Sequence, residues 1–164
     1  MRFPGLRRTA ALVLFAATVM VLGAKGVDAL EEPWIADKAR RVAALTRDLA
    51  PRVPPGATAQ VMDVTEGGVH ALWSLRLRQP TRFIYDFHFF HDTGDPRIVA
   101  LREEFVAGLA AQRPAAIVVL RDTWNRLGYE RLADWPDVAR LLARSYTLAV
   151  EGDGYRIYVK RADS

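Results

Sequence analysis

TRFIYDFHFFHD, residues 81–92, is the most aromatic stretch of this 164-residue chain, and it holds two of the three histidines. Residues 82–87 are mostly aromatic or β-branched and lie between Pro80 and a Gly-Asp-Pro turn sequence, a pattern that predicts a β-strand. The polar residues at the end of the stretch predict a loop. In α/β proteins, functional side chains gather where strands end in such loops. The stretch therefore predicts both the fold class and the place of a functional site.

Strand and helix patterns alternate along the rest of the chain. The predicted strands are residues 58–64, 82–87, 115–120, 146–150 and 155–159, separated by helices over 69–77 and 96–113 and by one that begins at Pro136. On the second strand and just after it, four aromatic side chains at alternating positions are expected to face the core: Phe83, Tyr85, Phe87 and Phe89. The pattern predicts an α/β domain with a small, mostly parallel sheet, helices on both faces and a C-terminal antiparallel hairpin.

Composition limits the chemistry that is open to the chain. Hydrophobic residues make up 51% of it, which is enough for one globular domain with a core. It has no cysteine, which excludes structural disulfides, thiolate catalysis and metal sites with cysteine ligands. The net charge is +4, but basic and acidic residues mostly alternate and no basic stripe with interleaved aromatics is present. We therefore predict no nucleic-acid partner.

The N-terminal segment has the layout of a membrane-targeting sequence. Three arginines in the first eight residues precede an uncharged, largely apolar run over residues 9–24, which Lys25 closes. This length fits either a signal peptide cut after Ala29 or a short membrane helix with basic residues at its ends. We favour one N-terminal membrane helix, a single-pass anchor in the inner (cytoplasmic) membrane. The rest of the chain is then expected on the periplasmic, extracytoplasmic side, because the basic flank stays in the cytoplasm.

Three regions follow from these patterns. Residues 1–29 form the membrane anchor or signal segment, residues 30–56 an amphipathic connecting helix, and residues 57–164 an extracytoplasmic α/β domain. In the connecting region, apolar residues recur at helical spacing until a proline-rich sequence ends the helix.

Polar residues at the ends of the predicted strands are the candidates for a binding site, because the carboxyl ends of adjacent parallel strands meet at one edge of a sheet. The candidates are Asp63 after the first strand, Asp86, His88, His91 and Asp92 after the second, and Asp122 after the third. A histidine beside a carboxylate can perform acid–base chemistry, but these histidines can equally cap a helix or pack against the neighbouring phenylalanines. We expect a binding role, and the sequence identifies no catalytic residue.

Two features contain the residue types of a known kind of site, a zinc site and a phosphate-binding loop, but not the spacing that such sites require. His88 and His91 are zinc-type ligands, but their spacing with Asp86 or Asp92 matches no recognised zinc motif, so we predict no metal site. Gly67-Gly68, after the first strand, lacks the spaced glycines or the lysine of a phosphate-binding loop, and a tight turn is the simpler interpretation. We predict no cofactor.

Three segments together resemble a known family: RQPTRFIYDFHFFHD at residues 78–92, RPAAIVVLRD at 113–122 and YTLAVEGDGYRIYVKR at 146–161. With the two helices before them, they look like the C-terminal extracytoplasmic domain of bacterial glycosyltransferase family 39 membrane proteins, the protein O-mannosyltransferase-like group. In that family, a polytopic membrane body uses a polyprenyl-phosphate sugar donor, and a soluble α/β domain follows its last membrane helix. The family's catalytic acid lies in the membrane body, and no position of this chain matches it.

The resemblance implies a tail domain that lacks the catalytic membrane body, as a split or truncated gene product or as a free-standing module. The expected function is an accessory or binding role in glycan transfer, without catalysis by this chain alone. The expected partners are the membrane, a polytopic membrane glycosyltransferase, and a glycan or lipid-linked sugar. Two other functions stay open from the sequence: a secreted periplasmic hydrolase that uses His88 or His91, and a structural assembly module with an exposed apolar patch.

Overall fold

The computed structural model of the protein describes residues 4–30, 32–121 and 128–162, with side chains for residues 11–26 and from residue 32 onward. The helices are α1 (Pro4–Leu30), α2 (Pro33–Leu49), α3 (Gly68–Ser74), α4 (Pro96–Gln112) and α5 (Pro136–Ser145). The strands are β1 (Ala59–Met62), β2 (Ala116–Leu120), β3 (Tyr146–Gly152) and β4 (Tyr155–Lys160). Short 3₁₀ helices span Ala50–Arg52, Phe87–Phe90 and Tyr129–Leu132.

The four strands form one mixed sheet in the order β1-β2-β4-β3. β1 and β2 are parallel, with Ala59 opposite Ala116, whereas β4 is antiparallel to both of its neighbours. The α/β fold and the C-terminal hairpin are confirmed. The prediction of a mostly parallel sheet is wrong, because β1 with β2 is the single parallel pair among the described strands.

The predicted strand over residues 82–87 does not form. Pro80 has no N–H group to donate to a strand ladder, and the chain after it follows an irregular path that ends in the 3₁₀ helix Phe87–Phe90. The alternating aromatic pattern is accordingly only half right. Phe83 and Phe89 are buried, but Tyr85 is 50% and Phe87 is 42% exposed.

The irregular segment covers the outer edge of β1 instead of extending the sheet. Val61 N–H donates to Gln79 Oε1 over 3.0 Å, and Gln60 Nε2 donates to the carbonyl oxygen of Phe83 over 3.1 Å. Backbone bonds fasten both ends of the segment: Ala59 N–H to Arg78 O, and Asp86 N–H to Asp63 O. Side-chain amides thus take over bonds that a neighbouring strand would otherwise make, and β1 is buried throughout.

Helices cover both faces of the sheet, as predicted. Leu45 and Leu49 of α2 pack with α3 against one face, and Phe105 and Leu109 of α4 pack with α5 against the other. β2 lies between the two layers, and all five of its residues are buried. Burial of each large apolar side chain in these layers contributes about 1.5–3 kcal/mol to stability. The two layers hold the ends of β1 and β2 in place.

The chain divides into two compact units, Met1–Asp37 and Lys38–Ser164. The first contains α1, in which all side chains of residues 11–26 are exposed. Its large hydrophobic side chains are between 52% and 74% exposed: Leu12, Val13, Leu14, Phe15, Val19, Met20, Val21 and Leu22. Among the residues whose side chains are described, no helix combines the length and the apolar character that crossing a membrane requires. The second unit contains the α/β domain and the C-terminal part of α2.

Candidate functional site

Asp63, the first residue after β1, is 1% exposed and binds the loop that leads into α3. Its Oδ1 accepts the N–H of Glu66 at 2.7 Å, and its Oδ2 accepts those of Gly67 at 3.1 Å and Gly68 at 2.7 Å. Burial raises the pKa of Asp63, and the backbone donors oppose the rise because they stabilise the carboxylate. The side chain of Asp63 thus occupies the position at which a helix N-terminus would otherwise receive an anion.

The glycine pair of this loop is explained by packing. Gly67 has a φ of 101°, and a Cβ on it would lie 2.4 Å from Val42 Cγ2. A Cβ on Gly68 would lie 2.4 Å from Val61 Cγ1 and 2.8 Å from Leu120 Cδ2. The loop therefore needs two glycines to turn tightly and to approach β1 and β2, whether or not a ligand binds.

Asp86 and Arg131 form a buried ion pair next to this loop. Arg131 Nη2 and Nε lie 3.0 Å and 3.3 Å from Asp86 Oδ2, and each side chain is only 2% exposed. Arg131 Nη1 also donates to the carbonyl oxygen of Gly128 over 2.9 Å. Charges in such an environment are tolerated only when they are paired and hydrogen-bonded. The pair fastens the 3₁₀ helix Tyr129–Leu132 to the segment that covers β1.

Asp63 and Asp86 lie next to each other, although Asp86 follows an irregular segment and not the predicted strand. Asp86 N–H donates to the carbonyl oxygen of Asp63 over 3.0 Å. Both carboxylates, however, face internal partners. Arg131 was not identified as a site residue from the sequence. Its one signal was Asp86, a carboxylate within an aromatic run, which would need a cation if it were buried. No local pattern indicated which arginine would supply it.

α2 is attached to the same region by polar contacts. Arg41 forms an ion pair with Glu66, and its Nε donates to the carbonyl oxygen of Asp153 over 3.3 Å. Further along α2, Asp48 Oδ2 accepts a hydrogen bond from the hydroxyl of Tyr155 at 2.6 Å. The C-terminal part of α2 is therefore bound to the loop before α3 and to the β3–β4 hairpin.

His88 packs against aromatic rings. Its ring centroid lies 4.2 Å from that of Phe89 and 5.9 Å from that of Phe83. Burial lowers the pKa of His88, and the nearby guanidinium of Arg82 lowers it further. A half-buried imidazole that contacts aromatic rings is a packing element, which agrees with the simpler of the two interpretations of the sequence.

His91 and Asp92 are exposed in the loop after the 3₁₀ helix, and Asp122 lies outside the described residues. In the described part of the chain, neither His88 nor His91 forms a hydrogen bond with a carboxylate. There is also no group of three or more histidine, cysteine or acidic side chains among the described residues that could hold a metal ion.

The arrangement can fix loops and present a surface. The buried carboxylates are bound to amides or to arginine, whereas the side chains of His91 and Asp92 reach solvent. Of the candidates Asp63, Asp86, His91 and Asp92, a ligand or partner could reach His91 and Asp92. Ligand binding by the six predicted residues stays a prediction.

Comparisons with known proteins found no relative of this chain. No family model, curated protein or solved structure matches the chain.

Proposed function

We propose that this protein is a membrane-anchored α/β module that binds a partner or ligand at the extracytoplasmic face of the inner membrane. In this proposal it resembles the tail domain of glycosyltransferase family 39 proteins and has an accessory role in glycan transfer. The observation that carries the anchor is the exposure of eight large apolar side chains between Leu12 and Leu22. Transfer of each from water to an apolar environment gains about 1.5–3 kcal/mol, and a bilayer supplies that environment.

The contacts of the acidic residues favour binding over catalysis. A general acid or base must reach a substrate, but Asp63 is bound to three backbone amides and Asp86 to Arg131, both beneath the surface. Glu66, 3% exposed, is engaged by Arg41. These three acidic side chains stabilise loops. Binding through the surface of the module is therefore a simpler function than catalysis by buried carboxylates.

The link to glycan transfer rests on the sequence resemblance. The three segments that carry it form the cover of β1 with its 3₁₀ helix, the central strand β2, and the β3–β4 hairpin. The three segments thus belong to the same folded domain. A polytopic membrane glycosyltransferase or a lipid-linked sugar is the proposed partner, since the chain has no counterpart of the family's catalytic membrane body.

Membrane fractionation of the full chain, followed by intact-mass measurement, tests the anchor. We expect a full-mass product that stays in the membrane through a carbonate wash. A shorter, soluble product cut near Ala29 would rule the anchor out. The absence of cysteine permits a topology test on the same chain. An Ala162→Cys variant should react with a membrane-impermeant maleimide once the outer membrane is opened, without lysis of the inner membrane.

Protein–protein assembly is a second candidate, favoured by an exposed apolar cleft. Trp73 of α3 is 79% exposed and Ile84 is 49% exposed. Both line a shallow cleft of about 380 Å³ together with Val69, Leu72 and Leu77. Exposed apolar patches on soluble domains often mark contact sites.

Photo-crosslinking tests whether the patch around Trp73 is an assembly surface. A photo-crosslinking residue placed at Trp73 in the membrane-embedded chain should give a defined protein adduct if this patch is an assembly surface. The same residue at the exposed Glu103 of α4 serves as the control. Equal labelling at both positions would count against the assembly surface.

A further inference from the structure

Basic side chains gather at the edge of the sheet opposite to the site described above. This edge is formed by the starts of β1 and β2 and by the end of β4. Five cationic side chains lie there: Arg52, Arg76, Arg78, Arg113 and Lys160. In the part of the chain that the structure describes, none of the five forms an ion pair with a carboxylate. Like charges without counterions produce a positive potential that attracts anions.

Two adjoining clefts are lined by these five residues. One, of about 480 Å³, has Arg52, Arg113 and Lys160 in its wall, with the hydroxyl of Thr58 and the amide of Gln112. The other, of about 420 Å³, has Arg76 and Arg78 beside the apolar side chains of Val53, Leu75 and Leu77. Gly56 and Ala57 line both clefts. A cationic cleft thus adjoins one that is partly apolar.

We propose that the larger cleft binds a phosphate-bearing group, held by Arg52, Arg113 and Lys160. Guanidinium groups bind phosphate oxygens through paired hydrogen bonds, and an ammonium group adds a point charge. The apolar wall of the second cleft suits the non-phosphate part of an amphiphile such as an anionic phospholipid. This site is separate from the proposed anchor and does not depend on it.

Nucleic acid fits these clefts less well than a small phosphate group. Proteins that bind single strands stack bases on aromatic side chains, and no aromatic residue is among the described residues that line either cleft.

Calorimetric titration of the full chain in non-ionic detergent tests the proposal. One arm uses phosphatidylglycerol in mixed micelles, with phosphatidylcholine as the reference, and the other uses inorganic phosphate and pyrophosphate. The test variant is Arg113→Asn/Lys160→Gln; asparagine suits the left-handed backbone of Arg113, which has a φ of 47°. The control variant is Arg97→Gln/Arg140→Gln, which removes two charges that are paired with Asp95 and Asp137 elsewhere.

We expect the test variant to weaken binding by roughly tenfold or more, because two charge-assisted contacts to the phosphate group would be lost. The control should change binding less than about twofold, and thermal unfolding should show that both variants are folded. Loss in the phosphatidylglycerol arm identifies a lipid headgroup as the ligand, and loss in the pyrophosphate arm alone identifies a free phosphate compound. Binding that is absent, equally weakened by both variants, or tighter for a short oligonucleotide than for either ligand would overturn the proposal.

Discussion

Arg131 and Asp86 are 45 positions apart in the chain, yet their side chains meet at 3.0 Å with 2% exposure each. The pair joins two irregular segments that lack a regular ladder of their own. Its place below the surface means that neither charge can be solvated if the other is removed. The stability of this part of the fold should therefore depend on both partners.

Replacement of Arg131 by glutamine should lower the free energy of unfolding by about 3–5 kcal/mol, because Asp86 would remain as a buried charge without its counterion. Urea unfolding of the full chain in mild detergent, followed by tryptophan fluorescence, measures the change. Arg82→Gln is the control, since Arg82 pairs with Glu104 through two hydrogen bonds at an exposed position. If both variants lost the same free energy of unfolding, burial of the Arg131–Asp86 pair would not be the cause of the loss.

Gly68→Ala should destabilise the protein by about 1–3 kcal/mol, because the new methyl group would overlap Val61 and Leu120. Gly94→Ala is the matched control, since the nearest atom to a Cβ there, Asp92 Oδ1, is 4.0 Å away. Thermal unfolding of both variants checks the difference. If Gly68→Ala were as stable as the control, the close approach of this loop to the sheet would be refuted.

His88 should make stability depend on pH in mildly acidic solution. Its pKa in the folded protein lies below the ordinary value of 6.5, so the unfolded chain binds more protons as the pH falls. Stability should then decrease as the pH drops from about 6.5, until the folded form is also protonated. Unfolding measured from pH 7.5 to 5 should show a flatter profile for His88→Gln. Equal slopes for His88→Gln and the unchanged protein would refute this contribution of His88.

The hydroxyl of Tyr155 should contribute to the attachment of α2 through Asp48. Burial raises the pKa of Tyr155 to about 12, with the bond to Asp48 as the next cause, so stability should also decline between pH 10 and 12. A double-mutant cycle of Tyr155→Phe and Asp48→Asn should give a coupling energy of about 1–3 kcal/mol. Tyr155→Phe with the distant Asp137→Asn should be additive. A coupling near zero for the first pair would refute the contact.

Regular elements with local signals could be predicted from the sequence. α4 begins at Pro96 because Asp95 caps it, and Asp95 Oδ1 accepts the N–H of Arg97 at 2.7 Å. An Asp-Pro pair is a helix-start signal that can be read directly from the sequence. The apolar run of β2 and the turn of the β3–β4 hairpin are equally local. Each required only neighbouring residues to be identified.

The misplaced strand and the candidate site depended on distant partners. Residues 82–87 have strand-like composition, but Gln60 and Gln79 supply the hydrogen bonds that would have formed a ladder. Asp86 likewise has a partner 45 positions away. Composition can show that a carboxylate lies among aromatic residues, but it cannot show which cation the fold will bring to it. Tertiary contacts overrode local propensity at these positions.

The amide cover of β1 has a consequence for how molecules could associate. β3, at the other border of the sheet, pairs only with β4 among the described strands, whereas the backbone of β1 is occupied by Gln79 and its neighbours. Among the described strands, β3 is therefore the one whose outer edge is left to pair with a strand from another molecule. Pairing of β3 with the β3 of a second copy about a twofold axis would use both of these edges, so this contact would give a closed dimer.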